Sequence, residues 1–316
     1  MPKIVVIGSL NMDVVAVAPR IPVPGETIIG ENYFTAPGGK GANQAYAAAK
    51  LGGNVAMLGR VGNDDFGRQM RQNLAGAGCG IAGLSLVDGG SGVALIYVAA
   101  SGQNSIIVVP GANGRFSASD VQADLAKLND VGIVLLQLEN PLPTVLAAAR
   151  EARRRRGVVI LDPAPAPASP LPDELLGLVD ILTPNETEAS ILAGLPPGPL
   201  SIQQAETLAR KLQSMGAATV IMKLGDQGCI LVEKDRATPI PAIKVDAVDT
   251  TAAGDVFNAG LAVGLSENMT LDAACRFAVQ ASALSVTRLG AQIAAPSRAE
   301  VTEFAARLAG AAAARA

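Results

Sequence analysis

The chain has no histidine and no tryptophan among its 316 residues, and only three cysteines. Without histidine there is no Ser-His-Asp triad, no Cys-His nucleophile and no Cys/His zinc site. Cys79, Cys229 and Cys275 lie far apart and form no CxxC pair, which fits reduced thiols in a cytoplasmic protein rather than a disulfide framework. Proton transfer near neutral pH therefore falls to Asp, Glu, Lys, Tyr or Cys. Aromatics make up 3% of the residues, too few for a base-stacking or membrane-interface surface. Long uncharged apolar runs are missing too, and none reaches the ~18 residues of a membrane span. Met1-Pro2-Lys3 passes straight into the short run Ile4-Val5-Val6-Ile7 and then Gly8, without the apolar region of a signal peptide. A net charge of −3 gives nucleic acid no bulk electrostatic hold. The one basic run, arginines 153–156, closes a predicted helix before Gly157, where cations suit the carbonyl end.

What is present is core-forming material. Apolar residues make up 49% and charged residues 17%, enough for a large core, and the length allows one large α/β domain or two smaller ones. Short apolar runs at 4–7, 55–58, 133–138, 158–162, 181–183, 219–224 and 229–232 read as strands. Helical patterns at 42–51, 65–75, 144–156, 186–192, 202–215, 255–265 and 271–287 fall between or after them, and Ser297-Arg298-Ala299-Glu300 opens a last helix that the Ala-rich tail continues. Continuous apolar strands alternating with helices predict an α/β fold with a mostly parallel sheet covered on both faces. Residues 11–34, broken by Pro19, Pro22, Pro24 and Gly25, and residues 92–109, a hairpin around Gly102, depart from that pattern. They read as β excursions meeting in a small flap over the sheet's carboxyl edge, where open α/β sheets bind ligands. Ordinary edge hairpins would carry the same pattern.

Two glycine clusters mislead by spelling. Gly78-Cys79-Gly80-Ile81-Ala82-Gly83 fits GxGxxG but follows a helix instead of a strand, and Gly38-Gly39-Lys40-Gly41 lacks the spacing of a phosphate-binding P-loop. Asp249-Thr250-Thr251-Ala252-Ala253-Gly254-Asp255 carries more. Small residues admit a ligand to the backbone, and the helix that follows aims its first N–H groups at whatever sits there. Asp255, at the lip of that anion hole, can take a proton from an attacking hydroxyl while the N–H groups stabilise a moving phosphoryl group. Helix capping by Asp249 and Asp255 is the plainer use of the same residues. Likewise Asn185-Glu186-Thr187-Glu188 can cap a helix or organise hydrated Mg²⁺, and Lys223-Leu224-Gly225-Asp226-Gln227-Gly228 can be a simple hairpin turn. Asn11, Asp13, Gly39, Lys40, Asn43 and Glu139, each close to a strand end or helix start, suit recognition of hydroxyl groups.

Taken together, these segments resemble the ribokinase (PfkB) family of carbohydrate kinases almost end to end. The resemblance is carried by Gly8-Ser9-Leu10-Asn11-Met12-Asp13, Pro24-Gly25-Glu26-Thr27, Asn185-Glu186-Thr187-Glu188, the 249–255 segment and Val286-Thr287-Arg288-Leu289-Gly290-Ala291. Gly38-Gly39-Lys40-Gly41-Ala42-Asn43-Gln44-Ala45 resembles the ribokinase branch in particular. The resemblance implies one catalytic domain over 1–316, with a β-sheet lid formed by about 11–38 and 92–109 that clasps a partner in a homodimer. It implies ATP-dependent phosphorylation of ribose, with Asp255 as the base. Asn11, Asp13, Gly39, Lys40, Asn43 and Glu139 would hold the sugar, and Asn185, Lys223, Gly225, Gly228, Ala253 and Gly254 the nucleotide. Glu188 would act on Mg²⁺. The Asp249 side chain, with main-chain oxygens of Thr251, Ser285, Arg288 and Gly290, would hold K⁺. Lys223 stands where the family often has Thr, Ala294 where some members place Ser near the potassium, and Val279, expected near the adenine, offers no hydrogen bond. Kinases for another pentose, for deoxyribose or for a nucleoside share the pattern. A non-catalytic sugar binder need not keep both Asp255 and the Asn185/Glu188 pair, and no glycine fingerprint after the first strand supports a dinucleotide-dependent dehydrogenase.

Overall fold

The computed structural model describes residues 3–167 and 169–313. Its strands are β1 (Ile4–Ile7), β2 (Asn11–Ala18), β3 (Asn32–Gly38), β4 (Val55–Gly62), β5 (Gly80–Val87), β6 (Gly92–Ala99), β7 (Asn104–Val109), β8 (Ile133–Leu136), β9 (Val158–Leu161), β10 (Ile181–Leu182), β11 (Thr219–Lys223), β12 (Gly228–Val232) and β13 (Ala237–Pro241). Its helices are α1 (Lys40–Lys50), α2 (Asp65–Gly76), α3 (Ala118–Ala126), α4 (Leu142–Arg154), α5 (Asp173–Leu178), α6 (Glu186–Leu192), α7 (Ile202–Ser214), α8 (Ala253–Ser266), α9 (Leu271–Ser285) and α10 (Arg298–Ala313).

Successive side chains of a strand point to opposite faces, so an unbroken apolar strand must be covered twice. In β1, Ile4 and Val6 enter one core while Val5 and Ile7 enter the other. In β8, Ile133 and Leu135 divide from Val134 and Leu136 in the same way. Nine strands form one sheet in the order β13-β12-β11-β10-β9-β8-β1-β4-β5. From β5 across to β11 in that order the strands run parallel; at the edge β12 is antiparallel to β11, and β13 is antiparallel to β12. Helices α1, α2, α8, α9 and α10 cover one face through Ala45, Met70, Leu261, Ala278 and Val301. Helices α3 to α7 cover the other through Val121, Val145, Leu175, Ala189 and Leu208. The predicted α/β class and two-sided parallel sheet are therefore present.

A second, four-stranded sheet has the order β3-β2-β6-β7. Its strands begin and end beside the large sheet: Asn11 pairs with both Gly38 and Gly92 in the register. Every residue of β7 is exposed.

Four elements were not anticipated from sequence, one of them the edge strand β13, which Pro239 and Pro241 disguise. Gly80–Val87 forms β5, an edge strand, so the GxGxxG spelling is a helix end (Gly78, φ 88°) followed by strand residues. Helix α3 begins with a capping box between Ser117 and Asp120, a start signal that its weak periodicity hid. Helix α5 is six residues long, too short to show a period. Helix α8 starts two residues earlier than predicted, because Ala252 takes the left-handed conformation (φ 59°) ahead of Ala253. The capping box of Ser297 and Glu300 opens α10 as expected; the last residues of the Ala-rich tail lie outside the described residues.

Candidate active site

The carboxyl ends of β1, β8, β9, β10 and β11 and the first turns of α1 and α8 converge on one edge of the large sheet. Helix α8 is held there by close packing on α9. A Cβ on Gly260 would lie 2.9 Å from the Ala278 Cα, and one on Gly264 would lie 3.0 Å from the Ala274 Cα. The first turn of α8 has no side-chain cap; the Ala253 N–H donates to the Thr250 carbonyl at 3.2 Å, and the N–H groups of Gly254 and Asp255 stay available to an anion.

Asp255 lies in that turn and is 5% exposed. The Asn43 Nδ2 donates to its Oδ2 at 3.0 Å, and the Gln44 Nε2 donates to its Oδ1 at 3.0 Å. Burial pushes its pKa up to about 6, with Asp162 adding to the rise and Lys40, Asn43 and Gln44 opposing it. A carboxylate so tuned is ionised at neutral pH yet basic enough to accept a proton.

A second layer stands behind it. The Gln44 Nε2 is shared between Asp255 and the Asp162 Oδ2, also at 3.0 Å, and its Oε1 accepts from the Gln137 Nε2 at 2.7 Å. The Asp162 Oδ1 accepts from the Lys223 Nζ at 2.9 Å. Sequence reasoning assigned no role to Asp162 or Gln44. Asp162 had a usable signal, a lone carboxylate ending an apolar strand at the ligand-binding edge.

Along this edge runs a cavity of about 820 Å³. It gathers all the expected nucleotide residues (Asn185, Lys223, Gly225, Gly228, Ala253 and Gly254) together with Glu188, Lys40 and Asp255. Ile243, Val245, Phe257 and Val279 supply apolar wall. Gly228 has φ 97°, and a Cβ there would lie 2.2 Å from the Ile240 carbonyl oxygen, so only glycine fits. The Lys223 ammonium lies 3.3 Å from where a Gly254 Cβ would be, which sets a cation against the N-terminal turn of α8.

Asn185 and Glu188 do form a capping box. The Asn185 Oδ1 accepts from the Glu188 N–H at 2.8 Å, and the Glu188 carboxylate accepts from the Asn185 N–H at 2.8 Å and its Nδ2 at 2.9 Å. The capping use of this motif is therefore realised. It does not exhaust Glu188, because each carboxylate oxygen carries two lone pairs and the residue also lines the cavity. No cluster of three or more acidic or thiol ligands that could cage a metal occurs among the described residues. That donor set fits Mg²⁺, which keeps several waters and binds largely through phosphates.

The expected sugar residues form a second group at the roots of the small sheet. The Glu139 Oε2 accepts from the Ser9 hydroxyl, from the Lys40 N–H at 3.2 Å and from the Asn11 Nδ2 at 3.4 Å. Burial, and then the charge of Glu139, push the Asp13 pKa up to about 7. Gly39 has φ 88°, and a Cβ on it would lie 2.6 Å from the Asn11 backbone nitrogen. Lys40 and Asp255 belong to this group and also line the cavity, so they mark the seam between the two.

Beyond the cavity rim, Asp249 ties two loops together. Its Oδ1 accepts from the Thr251 N–H at 2.9 Å and hydroxyl at 2.6 Å, and its Oδ2 accepts from the Gly290 N–H at 2.8 Å. The Ser285 carbonyl accepts from the Arg288 N–H at 3.1 Å, and the Arg288 side chain pairs with Glu300.

Residues 1–298 match the family described as pfkB family carbohydrate kinase. The chain belongs to that family. It is 43% identical over 300 residues to the ribokinase of Haemophilus influenzae, covering 95% of this chain and 97% of the relative. Among solved structures, the ribokinase of Thermotoga maritima superposes with a TM-score of 0.86 at 41% identity, covering 96% of this chain and 99% of that one. The Arabidopsis thaliana ribokinase complexed with ribose and ATP gives a TM-score of 0.87 at 35% identity, covering 96% and 98%. No helix among the described residues is long and apolar enough to cross a membrane.

Proposed function

We propose that the protein is a ribokinase, transferring the γ-phosphoryl group of ATP to the 5-hydroxyl of D-ribose to give ADP and D-ribose 5-phosphate. The observation that carries this reading is the position of Asp255. It is a buried carboxylate at the seam between a nucleotide-sized cavity and a cluster of hydroxyl-binding side chains, beside an uncapped helix start. Asn11, Asp13, Gly39, Lys40, Asn43 and Glu139 hold the sugar. Asn185, Lys223, Gly225, Gly228, Ala253 and Gly254 contact ATP. Asp255 takes the proton from the attacking hydroxyl, and the first N–H groups of α8 stabilise the phosphoryl group in transit. Glu188 would help to hold a hydrated Mg²⁺, which would offset phosphate charge. The Asp249 side chain, with main-chain oxygens of Thr251, Ser285, Arg288 and Gly290, would hold K⁺. Burial alone would raise the Asp249 pKa, but the hydrogen bonds from Thr251 and Gly290 hold it below its ordinary value, so its charge is retained for a cation.

ADP release measured over a panel of ribose, deoxyribose, other pentoses and nucleosides, with and without K⁺, tests this. Ribose is expected to give the highest kcat/KM, and K⁺ to raise it. A preference for a nucleoside would reject the substrate, and indifference to K⁺ would reject the cation.

The small sheet, residues 11–38 and 92–109 of one catalytic domain spanning 1–316, serves as a lid over the sugar. It also joins two copies in a cytoplasmic homodimer. Ile106 and Ile107 point to opposite faces of the edge strand and are 54% and 56% exposed, and Tyr33 is 73% exposed. Isolated apolar surface of that extent on a sheet edge calls for a partner. Sedimentation velocity should show a dimer for the native protein and a monomer for Ile107→Glu. A native monomer would reject the interface.

A further inference from the structure

Asn113 lies in the 3₁₀ turn Gly111–Arg115 that follows β7, and it is 1% exposed. Its orientation is fixed by a donor that has no alternative role. The Leu10 backbone N–H can only donate, so the Asn113 atom 2.9 Å from it is the carbonyl oxygen Oδ1. The Nδ2 then faces the other way, donating to the Leu10 carbonyl at 2.9 Å and to the Asn11 Oδ1 at 2.8 Å. That in turn fixes Asn11: its oxygen faces Asn113 and its NH₂ faces Glu139 and the sugar residues. Gly92, the register partner of Asn11 at the root of β6, leaves room for this meeting. A Cβ on Gly92 would lie 2.3 Å from both the Asn11 Oδ1 and the Asn113 Nδ2.

We propose that Asn113 is a positioning residue for sugar recognition, locking the Asn11 amide with its donor side toward the substrate at the point where β2 and β6 leave the large sheet. The inference rests on Asn11 being a sugar ligand. With the Asn11 amide reversed, its oxygen would confront the Glu139 carboxylate, and a sugar hydroxyl would lose a donor. Asn113→Asp keeps the size of the side chain and the bond from the Leu10 N–H, but it sets an acceptor against both the Asn11 oxygen and the Leu10 carbonyl.

Ribose affinity by calorimetry and steady-state constants for both substrates test the proposal. In Asn113→Asp the Kd and KM for ribose are expected to rise ~10-fold or more, while the KM for ATP and kcat change less than about threefold. Gly92→Ala presses on the same two amides from the opposite side and should give the same split, which keeps the test open if one variant folds poorly. In the Asn11→Ala background, Asn113→Asp should weaken ribose binding by less than about threefold, because the oxygen it repels beside the sugar is gone and only its clash with the Leu10 carbonyl remains. A full additional loss there, or an equal rise in both KM values, overturns the proposal alone. Unchanged ribose affinity in Asn11→Ala itself overturns the sugar-site reading, and the inference with it.

Discussion

An Asp255→Asn protein is expected to bind ribose within about threefold of the native affinity and to turn over ~10³-fold more slowly, the range spanned by removal of a general base. Asparagine fills the same volume in the first turn of α8 and leaves its N–H groups in place, so the phosphoryl site survives while the proton acceptor is lost. The Asn43 and Gln44 side chains donate to both Asp255 oxygens. One of those two donors will face an NH₂ in the variant, a local misfit that falls well short of a thousandfold effect. The pH profile distinguishes a base from a carboxylate that only orients its neighbours. Burial pushes the Asp255 pKa up to about 6, and only its ionised form accepts a proton. At saturating ribose, kcat of the native enzyme should therefore fall as pH drops through about 6, and that acid limb should vanish from the residual turnover of Asp255→Asn, whereas kcat/KM also carries the titration of Asp13 at about 7. A near-native kcat, or an unchanged acid limb, would leave Asp255 as a buried acceptor for Asn43 and Gln44 and not the base.

Local chemistry was legible in the sequence wherever the interacting groups are close along the chain. The turn from Asp249 to Asp255, the glycine turn after Lys223 and the Asn185/Glu188 pair act within seven residues, and spacing alone suggested what they could do. The Asn185/Glu188 pair also shows the ambiguity of such signals, since its three hydrogen bonds make a capping box whatever else Glu188 does. Contacts that join distant strands left no such mark. Gln44 reaches Asp162 across 118 residues, Lys223 reaches Asp162 across 61, and Asn113 reaches Leu10 across 103. Asp162 and Asn113 each resemble an ordinary strand end or turn residue until the parallel sheet brings its strand termini together. The alternating helices and apolar strands announced that sheet, because a strand buried on both faces has few other places to go. Edge strand β5 escaped notice because its burial is patchy and glycines interrupt it.

Lys40→Met should produce the other large change, in both catalysis and stability. Lys40 opens α1, the end of a helix where the dipole disfavours a cation. Burial also acts to lower its pKa, yet the carboxylates of Asp255, Asp162, Glu139 and Glu188 outweigh burial and hold the pKa above the ordinary lysine value of 10.5. Its stabilising contribution is therefore present in full below that ordinary value and is lost only as pH rises beyond it. Across pH 5 to 8 the native protein keeps this contribution. Methionine fills similar space without the charge and leaves the four carboxylates with Lys223 as the cation paired to Asp162. Asp255 then loses its largest offset, and its pKa climbs further above about 6. The folded variant at neutral pH retains a proton that the unfolded chain, with a pKa of 3.8 at this group, has released, so its stability falls as pH rises. Urea unfolding should show a loss at pH 8 of about 1.4 kcal/mol for each unit by which the Asp255 pKa climbs, and a distinctly smaller loss at pH 5. Turnover at pH 8 should fall ~10²-fold or more, because Lys40 faces both the sugar residues and the phosphate path. Equal destabilisation at the two pH values, or turnover within tenfold of native, would mean that Lys40 is a peripheral charge and that the carboxylates around it are balanced by other groups.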